Sequence, residues 1–363
     1  MIDRRYTRRL LAGLLTATAL STSAAAAEPA VAPLGIDLAD YDYPYPVSQL
    51  ALDEPGGAVD MAYMDIPPAD GDASAPVIVL LHGKNFGGAY WGDTAAWLAQ
   101  HGWRVVVPDQ IGFGKSDKPR AYSYTFAHLA ANTHALLADL DIDTATVLGH
   151  SMGGMLAVRY SLMYPDQVSQ LVLVDPIGLE DWKAKGVPYR GMAAWYARDM
   201  NKDYAAIRAY QEKSYYHGTW KPAYEGPART LAGMYASPDK KRLAWVGAAT
   251  YDMIYNEPVV YEFDDLTMPT TLMVGALDRT ALGKDLVAED VAARLGDYPA
   301  LSRAAVAAMP DGRRVLFDGV GHLPFIEAPA RFRRALADTL GIDTPAARSQ
   351  PITDTNRPEK AHE

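Results

Sequence analysis

Short apolar runs recur along the chain, each bounded by glycine, proline or charged residues. Val77-Ile78-Val79-Leu80-Leu81 is apolar at five successive positions, the pattern of a parallel strand buried on both faces. Similar runs at residues 104–107, 145–148, 171–174, 270–274 and 314–317 predict further buried strands. Val59-Asp60-Met61-Ala62-Tyr63-Met64 alternates in the manner of an early antiparallel strand. Between these runs, apolar residues at helical spacing predict helices over 93–101, 126–140, 152–163, 287–295 and 329–340. Repeated alternation of strand and helix predicts an α/β fold, a parallel sheet covered on both faces. In such sheets ligands sit beyond the carboxyl ends of the strands, which directs attention to the residues that follow each one.

One interval breaks the alternation. Residues 176–265 hold many helix formers and large aromatics, among them Trp195, Tyr210, Tyr215, Trp220, Tyr235 and Tyr251, with no strand-like run. This predicts an inserted helical cap between a first core segment, 28–175, and a second, 266–345. Most of its aromatics are expected to serve packing, because such side chains dominate small cores by area, and a few to line a pocket.

The two ends differ from the body. Arg4, Arg5, Arg8 and Arg9 precede an apolar stretch from Leu10 to Leu20 and a small-residue site, Ala25-Ala26-Ala27, so residues 1–27 read as an export signal. Thr7-Arg8-Arg9-Leu10-Leu11 loosely resembles a twin-arginine signal, and both export routes stay open. Residues 28–46, with Pro29, Pro33, Pro44 and Pro46, form either an extended lead-in or an arm wrapped over the core. Residues 346–363 are polar and charged and read as a disordered tail.

Composition narrows the setting. The expected compartment, periplasm or beyond, permits disulfides, yet the chain has no cysteine, so stability must come from its core and no thiol chemistry is possible. The formal charge is −10, and loss of residues 1–27, with four arginines and one aspartate, would leave −13. That balance disfavours nucleic acid or an anionic membrane as partner, and no later segment is apolar enough to span a bilayer. A soluble exported product acting on a small hydrophobic molecule is the expectation.

Chemistry concentrates at the strand ends. Gly149-His150-Ser151-Met152-Gly153 places a serine between two glycines where strand gives way to helix, the pattern of a nucleophile elbow. Gly275-Ala276-Leu277-Asp278 sets a carboxylate beyond the strand at 270–274, and Gly319-Val320-Gly321-His322 sets a histidine beyond the strand at 314–317. A serine hydroxyl needs a base, and the base needs a partner that fixes its tautomer, so Ser151, His322 and Asp278 are the candidate nucleophile, base and acid. Asp175 also ends a strand and is the alternative acid; Asp278 is favoured because Asp175 is followed by Pro176 and opens the cap. His82-Gly83-Lys84-Asn85-Phe86-Gly87-Gly88 follows the first buried strand, where an acyl-transfer site needs a main-chain N–H for the oxyanion. Lys84, with Asn85 as alternative, is the expected donor there, and Met152 the second. His82 is expected to prop this loop, and Asp109 and Ser116 to bond the turns of Asp109–Ser116.

As a set, His82-Gly83, Asp109 through Ser116, Gly149 through Gly153, Gly275 through Asp278 and Gly321-His322 resemble the α/β-hydrolase superfamily over roughly residues 50–342. The resemblance implies an eight-stranded, mostly parallel core with the cap inserted after the sixth strand. It carries nucleophile, acid and base onto Ser151, Asp278 and His322. A serine nucleophile argues against the epoxide- and halide-processing relatives, and Lys84-Asn85-Phe86-Gly87 departs from the Gly-Gly-Pro-Gly loop of proline iminopeptidases. An exported esterase or lactonase is therefore the first expectation. A carbon–carbon bond hydrolase, an iminopeptidase, a peracid-forming haloperoxidase-like enzyme and a receptor that binds without turnover remain alternatives. Nothing in the sequence points to a cofactor: it offers no cluster with metal-ligand spacing, no Walker-type loop and no nicotinamide fingerprint, since Gly112-Phe113-Gly114 lacks the third glycine.

Overall fold

The computed structural model describes residues 31–343, so the signal expected at 1–27 and the tail expected at 346–363 lie outside the described residues. Eight strands form one sheet: β1 Ser48–Leu52, β2 Val59–Ile66, β3 Val77–Leu81, β4 Arg104–Pro108, β5 Ala145–His150, β6 Val168–Val174, β7 Thr270–Gly275 and β8 Gly312–Phe317. Their order is β1-β2-β4-β3-β5-β6-β7-β8. The pairs β1–β2 and β2–β4 are antiparallel, and every pairing from β4 to β8 is parallel. Both β5 and β7 are buried at every position, which is why their sequences are apolar without alternation.

Helices α1 Gly92–Gln100, α2 Phe126–Asp139 and α3 Met152–Met163 connect the first half of the sheet. The interval between β6 and β7 holds α4 Met192–Met200, α5 Tyr204–Ser214, α6 Glu225–Tyr235 and α7 Lys240–Asn256, and no strand. The second half adds α8 Glu289–Arg294, α9 Tyr298–Ala308, α10 Pro324–Glu327 and α11 Pro329–Leu340. One face of the sheet packs Leu80, Val105 and Val172 against Leu98 of α1 and Phe332 and Leu336 of α11. The other packs Val79, Val147 and Leu173 against Leu129, Met155, Leu156 and Ala305 of α2, α3 and α9. No helix among the described residues is long and apolar enough to cross a membrane.

Two elements escape the apolar pattern for physical reasons. Strand β1 is a sheet edge in which Leu52 alone is buried, so no apolar run marks it. The helix expected over 287–295 is only Glu289–Arg294; Gly296, at φ 69°, ends that segment, and α9 begins anew with Asp297 as its cap and Pro299 in its first turn. Glycine and proline here mark a break between two helices, not a loop leading to the last strand. The residues ahead of β1 wrap over the body: the Leu34 N–H donates to the Gly233 carbonyl at 2.9 Å, and Leu38 is buried with Ile207, Ala228 and Tyr235.

Candidate active site

Strand β5 ends at His150, and Ser151 makes the turn into α3 at φ 56° and ψ −118°, a backbone conformation that a non-glycine residue holds only when its surroundings impose it. The imposing contacts are close main-chain approaches. A Cβ on Gly149 would lie 2.1 Å from the Gly153 carbonyl oxygen, and one on Gly153 would lie 2.4 Å from that of Leu81. Glycine at both positions therefore lets strand, turn and helix stack as tightly as they do. The Ser151 N–H donates to the Val174 carbonyl at 3.1 Å, fixing the turn against β6.

The ends of β7 and β8 bring the partners. His322 Nε2 is 3.0 Å from Ser151 Oγ, and His322 Nδ1 is 2.6 Å from Asp278 Oδ2. Asp278 and His322 are fully buried and Ser151 is 5% exposed. With Nδ1–H donating to the carboxylate, Nε2 is free to accept the serine proton, the tautomer that nucleophile activation requires. Asp278 Oδ1 accepts the Thr280 N–H at 2.7 Å, so the carboxylate is held from both sides.

Asp175 is close by, at the end of β6. Its Oδ1 accepts the Gly275 N–H at 2.8 Å, and donor atoms of Asp175, Asp278 and His322 lie within 4.8 Å of one another. Such a trio has the residue types of a metal site, yet both His322 nitrogens already engage Asp278 and Ser151. Burial, with the neighbouring Asp278 adding to it, pushes the Asp175 carboxyl well above the usual carboxylate range.

Around this chain of bonds lies a second set that the local sequence pattern did not reveal. His150 Nε2 donates to the His322 carbonyl at 2.9 Å, which requires the proton on that nitrogen and leaves Nδ1 to accept from Tyr90 Oη at 2.9 Å. Tyr90 Oη in turn accepts the Gly83 N–H at 3.0 Å. Burial and the adjacent His322 hold the His150 imidazole well below its ordinary pKa, so it stays neutral and keeps this bonding sense. Glu327 accepts the N–H groups of Gly321 and Leu323, each at 3.1 Å, on both sides of His322; burial raises its pKa to about 7. Tyr215, from the turn after α5, stacks on the His322 ring and accepts from Asn85 Nδ2 at 2.7 Å. Of these groups, Tyr90, Tyr215 and Glu327 carry no motif of their own, whereas His150 lies within the serine's own motif.

The loop after β3 abuts the serine: a Cβ on Gly83 would lie 3.1 Å from Ser151 Cβ. Within it Gly83 N–H is bonded to Tyr90, Phe86 N–H to the Gly83 carbonyl at 3.2 Å and Gly88 N–H to Asp109 Oδ1 at 2.5 Å, so the main-chain donors on either side of Lys84 and Asn85 are engaged. Met152 is the first residue of α3, where helix geometry gives an N–H no intrahelical acceptor. His82 braces the loop, donating through Nδ1 to the Gly83 carbonyl at 3.0 Å and accepting the Gln110 N–H at Nε2, also at 3.0 Å. Asp109 accepts from Lys115 N–H and Tyr43 Oη as well, while Ser116 Oγ donates to the Asp109 carbonyl.

Two cavities adjoin this loop. The larger, about 490 Å³, is lined by Tyr43, Phe86, Tyr90, Met234, Tyr235 and Val246 among others, and the smaller, about 380 Å³, by Asn85, Arg198, Lys202, Tyr210, Gln211 and Tyr251 among others. Both include Asn85, Lys202 and Leu231. Ser151 lines neither; the loop that touches it through Gly83 forms part of the larger wall from Lys84 to Gly87. Of the helical insertion's aromatics, Tyr210, Tyr235 and Tyr251 line a cavity, while Tyr216 and Tyr224 stack on each other at 3.6 Å.

The sequence profile of the α/β hydrolase fold matches residues 76–329, and the chain belongs to that family as one of its hydrolases. It is similar to a solved protein of Pseudomonas aeruginosa described as a probable hydrolytic enzyme, at 48% identity over 86% of this chain and 99% of that one, with a TM-score of 0.83. An uncharacterized protein of Mycobacterium tuberculosis is 30% identical over 278 residues, 71% of this chain and 73% of its own length. The esterase of Exiguobacterium antarcticum shares the fold at 18% identity, with a TM-score of 0.63 over 81% of this chain and all of its own.

Proposed function

We propose that the chain is an exported serine hydrolase that cleaves carboxylic esters or lactones of hydrophobic small molecules through an acyl-enzyme. The observation that carries this is the unbroken bond chain from Ser151 Oγ through His322 to Asp278, buried at the carboxyl edge of the sheet. Ser151 Oγ attacks the carbonyl carbon while His322 Nε2 takes its proton; the resulting oxyanion accepts from the N–H groups of Met152 and Lys84, with Asn85 as the alternative donor. Collapse expels the alcohol, protonated by His322. Water, deprotonated by the same nitrogen, then attacks the acyl-enzyme and releases the acid. Each step is carried by this chain's own residues, and Asp278 stabilises the imidazolium in both halves.

The hydrophobic preference is supported by the larger cavity, walled by Phe86, Tyr235, Met234, Leu243 and Val246. Export rests on the charged head, apolar stretch and small-residue site of residues 1–27.

The test is a panel of p-nitrophenyl esters, lactones and aminoacyl anilides on the wild-type chain and on Ser151→Ala. Esters or lactones should turn over, and the variant should fold normally but lose a thousandfold or more in kcat, roughly the cost of a missing triad member. A phosphonate probe should label Ser151 and no other serine. Retention of a tenth of the rate by Ser151→Ala, or turnover confined to anilides, would overturn the assignment.

A further inference from the structure

The smaller cavity is unlike its neighbour. In a protein of formal charge −10, its wall carries Arg198 and Lys202, and Lys84 sits beside it with its ammonium 3.7 Å above the Tyr251 ring. Four cationic side chains gather here once Arg190 is counted. Two carboxylates answer them: Asp199, which is 2.8 Å from Lys202 Nζ and accepts from Tyr235 Oη at 2.9 Å, and Asp285, which is paired with Arg190. Arg198 and Lys84 are left without an ion-pair partner of their own among the described residues, Lys84 with its ammonium pushed down to about 7 by burial.

A second observation is independent of charge. Gln211 is fully buried on the same wall, and neither its Oε1 nor its Nε2 has a hydrogen-bond partner. Buried amides are ordinarily bonded, because a group stripped of water and given no partner is costly. Gln211 belongs to the wall of a cavity of about 380 Å³ that also carries Arg198 and Lys202.

We propose that this chamber binds a carboxylate of the substrate, with Arg198, Lys202 and Lys84 supplying charge and Gln211 Nε2–H a directed hydrogen bond. A carboxylate presents two acceptor oxygens in one plane, which suits an amide N–H beside a guanidinium. The inference deepens the hydrolase reading and rests on it for the word substrate: the ester has an apolar part for the larger cavity and an anionic end for the smaller. Lys84 links the two functions, since its main chain belongs to the loop at Ser151 and its side chain to the cation group. Its ammonium is held down to about 7 by burial and by the neighbouring Lys202 and Arg198, strain that an incoming anion relieves.

Binding and turnover test this separately. Calorimetric titration of Ser151→Ala with glutarate should give saturable binding, with 1,5-pentanediol giving none, and adding Arg198→Gln should weaken glutarate binding about tenfold or more. Gln211→Leu serves as the second variant should Arg198→Gln not fold. In the wild type, kcat/KM should favour the anionic member about tenfold or more in at least one of two ester pairs. These are mono-p-nitrophenyl glutarate against p-nitrophenyl hexanoate, and 4-acetoxybenzoate against p-tolyl acetate. Absence of glutarate binding, binding indifferent to the variant that folds, or preference for the neutral ester in both pairs overturns the chamber while leaving the hydrolase intact. Glutarate binding by a chain that turns over no ester sinks the hydrolase reading instead and leaves the anion site standing.

Discussion

Tyr215 holds His322 twice: its ring stacks on the imidazole at 4.6 Å between centroids, and its main-chain carbonyl accepts the His322 N–H at 2.8 Å. The helical insertion thus reaches into the bond chain at Ser151, and through Tyr215 Oη and Asn85 it is tied to the loop after β3 as well.

The two attachments separate by substitution. Tyr215→Leu keeps the main-chain bond but loses the stack, worth about 0.5–1.5 kcal/mol in aromatic pairs, so kcat should fall up to about tenfold with little change in KM. Tyr215→Phe keeps the stack and strands Asn85 Nδ2 without its acceptor, which should cost about 1–3 kcal/mol of stability and only a few-fold in rate. Steady-state kinetics and denaturant melts on both variants decide it; equal rate losses in the two would mean that the stack does not position the imidazole.

Two aspartates compete for the acid role. Asp278 bonds His322 Nδ1, whereas Asp175 bonds the Gly275 N–H and has its pKa pushed up by burial and by the neighbouring Asp278, which favours its neutral form. Asparagine mimics a neutral carboxyl closely but cannot replace an ionised one. Asp278→Asn should therefore lower kcat by about ten-thousandfold, the order seen when a triad acid is made an amide, and Asp175→Asn by less than about tenfold. A larger loss from Asp175→Asn, with both variants folded, would move the acid to β6.

The main features of the site were legible because each key residue follows a strand in a glycine-bearing turn: Ser151 after β5, Asp278 after β7, His322 after β8. Strand β8 is nonetheless a sheet edge with only Val315 and Phe317 buried, not the fully buried strand expected at 314–317. Strand ends leave a local signature of apolar run, glycine and a polar residue. Glu327, Tyr90 and Tyr215 leave none. Tyr90 and Tyr215 meet His150 and His322 from far along the chain, and Glu327 turns back from a four-residue helix onto Gly321 and Leu323; a lone glutamate or tyrosine in such places looks like any other. The same holds for β1, an exposed edge; the arm before it, one of two readings open for residues 28–46, is settled by contacts such as Tyr43 to Asp109, 66 residues away. Reading local pattern recovers strands and the turns that end them, and misses side chains such as Tyr90 and Tyr215 whose partners lie far along the chain.

Glu327 gives the fold a pH dependence. Its side chain is 4% exposed and its folded pKa is raised from 4.5 to about 7, chiefly by burial. Between those values the folded state keeps a proton that the unfolded state releases, so stability contributed here is full below about 4.5 and declines as pH rises to about 7. The difference amounts to about 3 kcal/mol. Glu327→Gln keeps an acceptor for Gly321 and Leu323 but cannot ionise, so its denaturant midpoint should stay flatter over this window than that of the wild type. Parallel curves for the two proteins would show that the carboxyl titrates normally.

Chain length probes the larger cavity. Its wall of Tyr43, Phe86, Tyr90, Met234 and Tyr235 is aromatic and apolar, and each methylene transferred there from water is worth up to about 0.8 kcal/mol, about a fourfold gain in kcat/KM. In an unbranched p-nitrophenyl ester series, kcat/KM should climb from acetate until the acyl chain meets the far wall of the cavity of about 490 Å³ and then drop, because displacing wall side chains costs more than one methylene returns. Substituting Val246 by Phe narrows the same wall and should move the maximum to a shorter acyl chain while leaving acetate turnover nearly unchanged in kcat. A series that declines steadily from acetate onward, or a maximum that ignores Val246→Phe, would assign this cavity to packing and remove it from the path of the acyl chain.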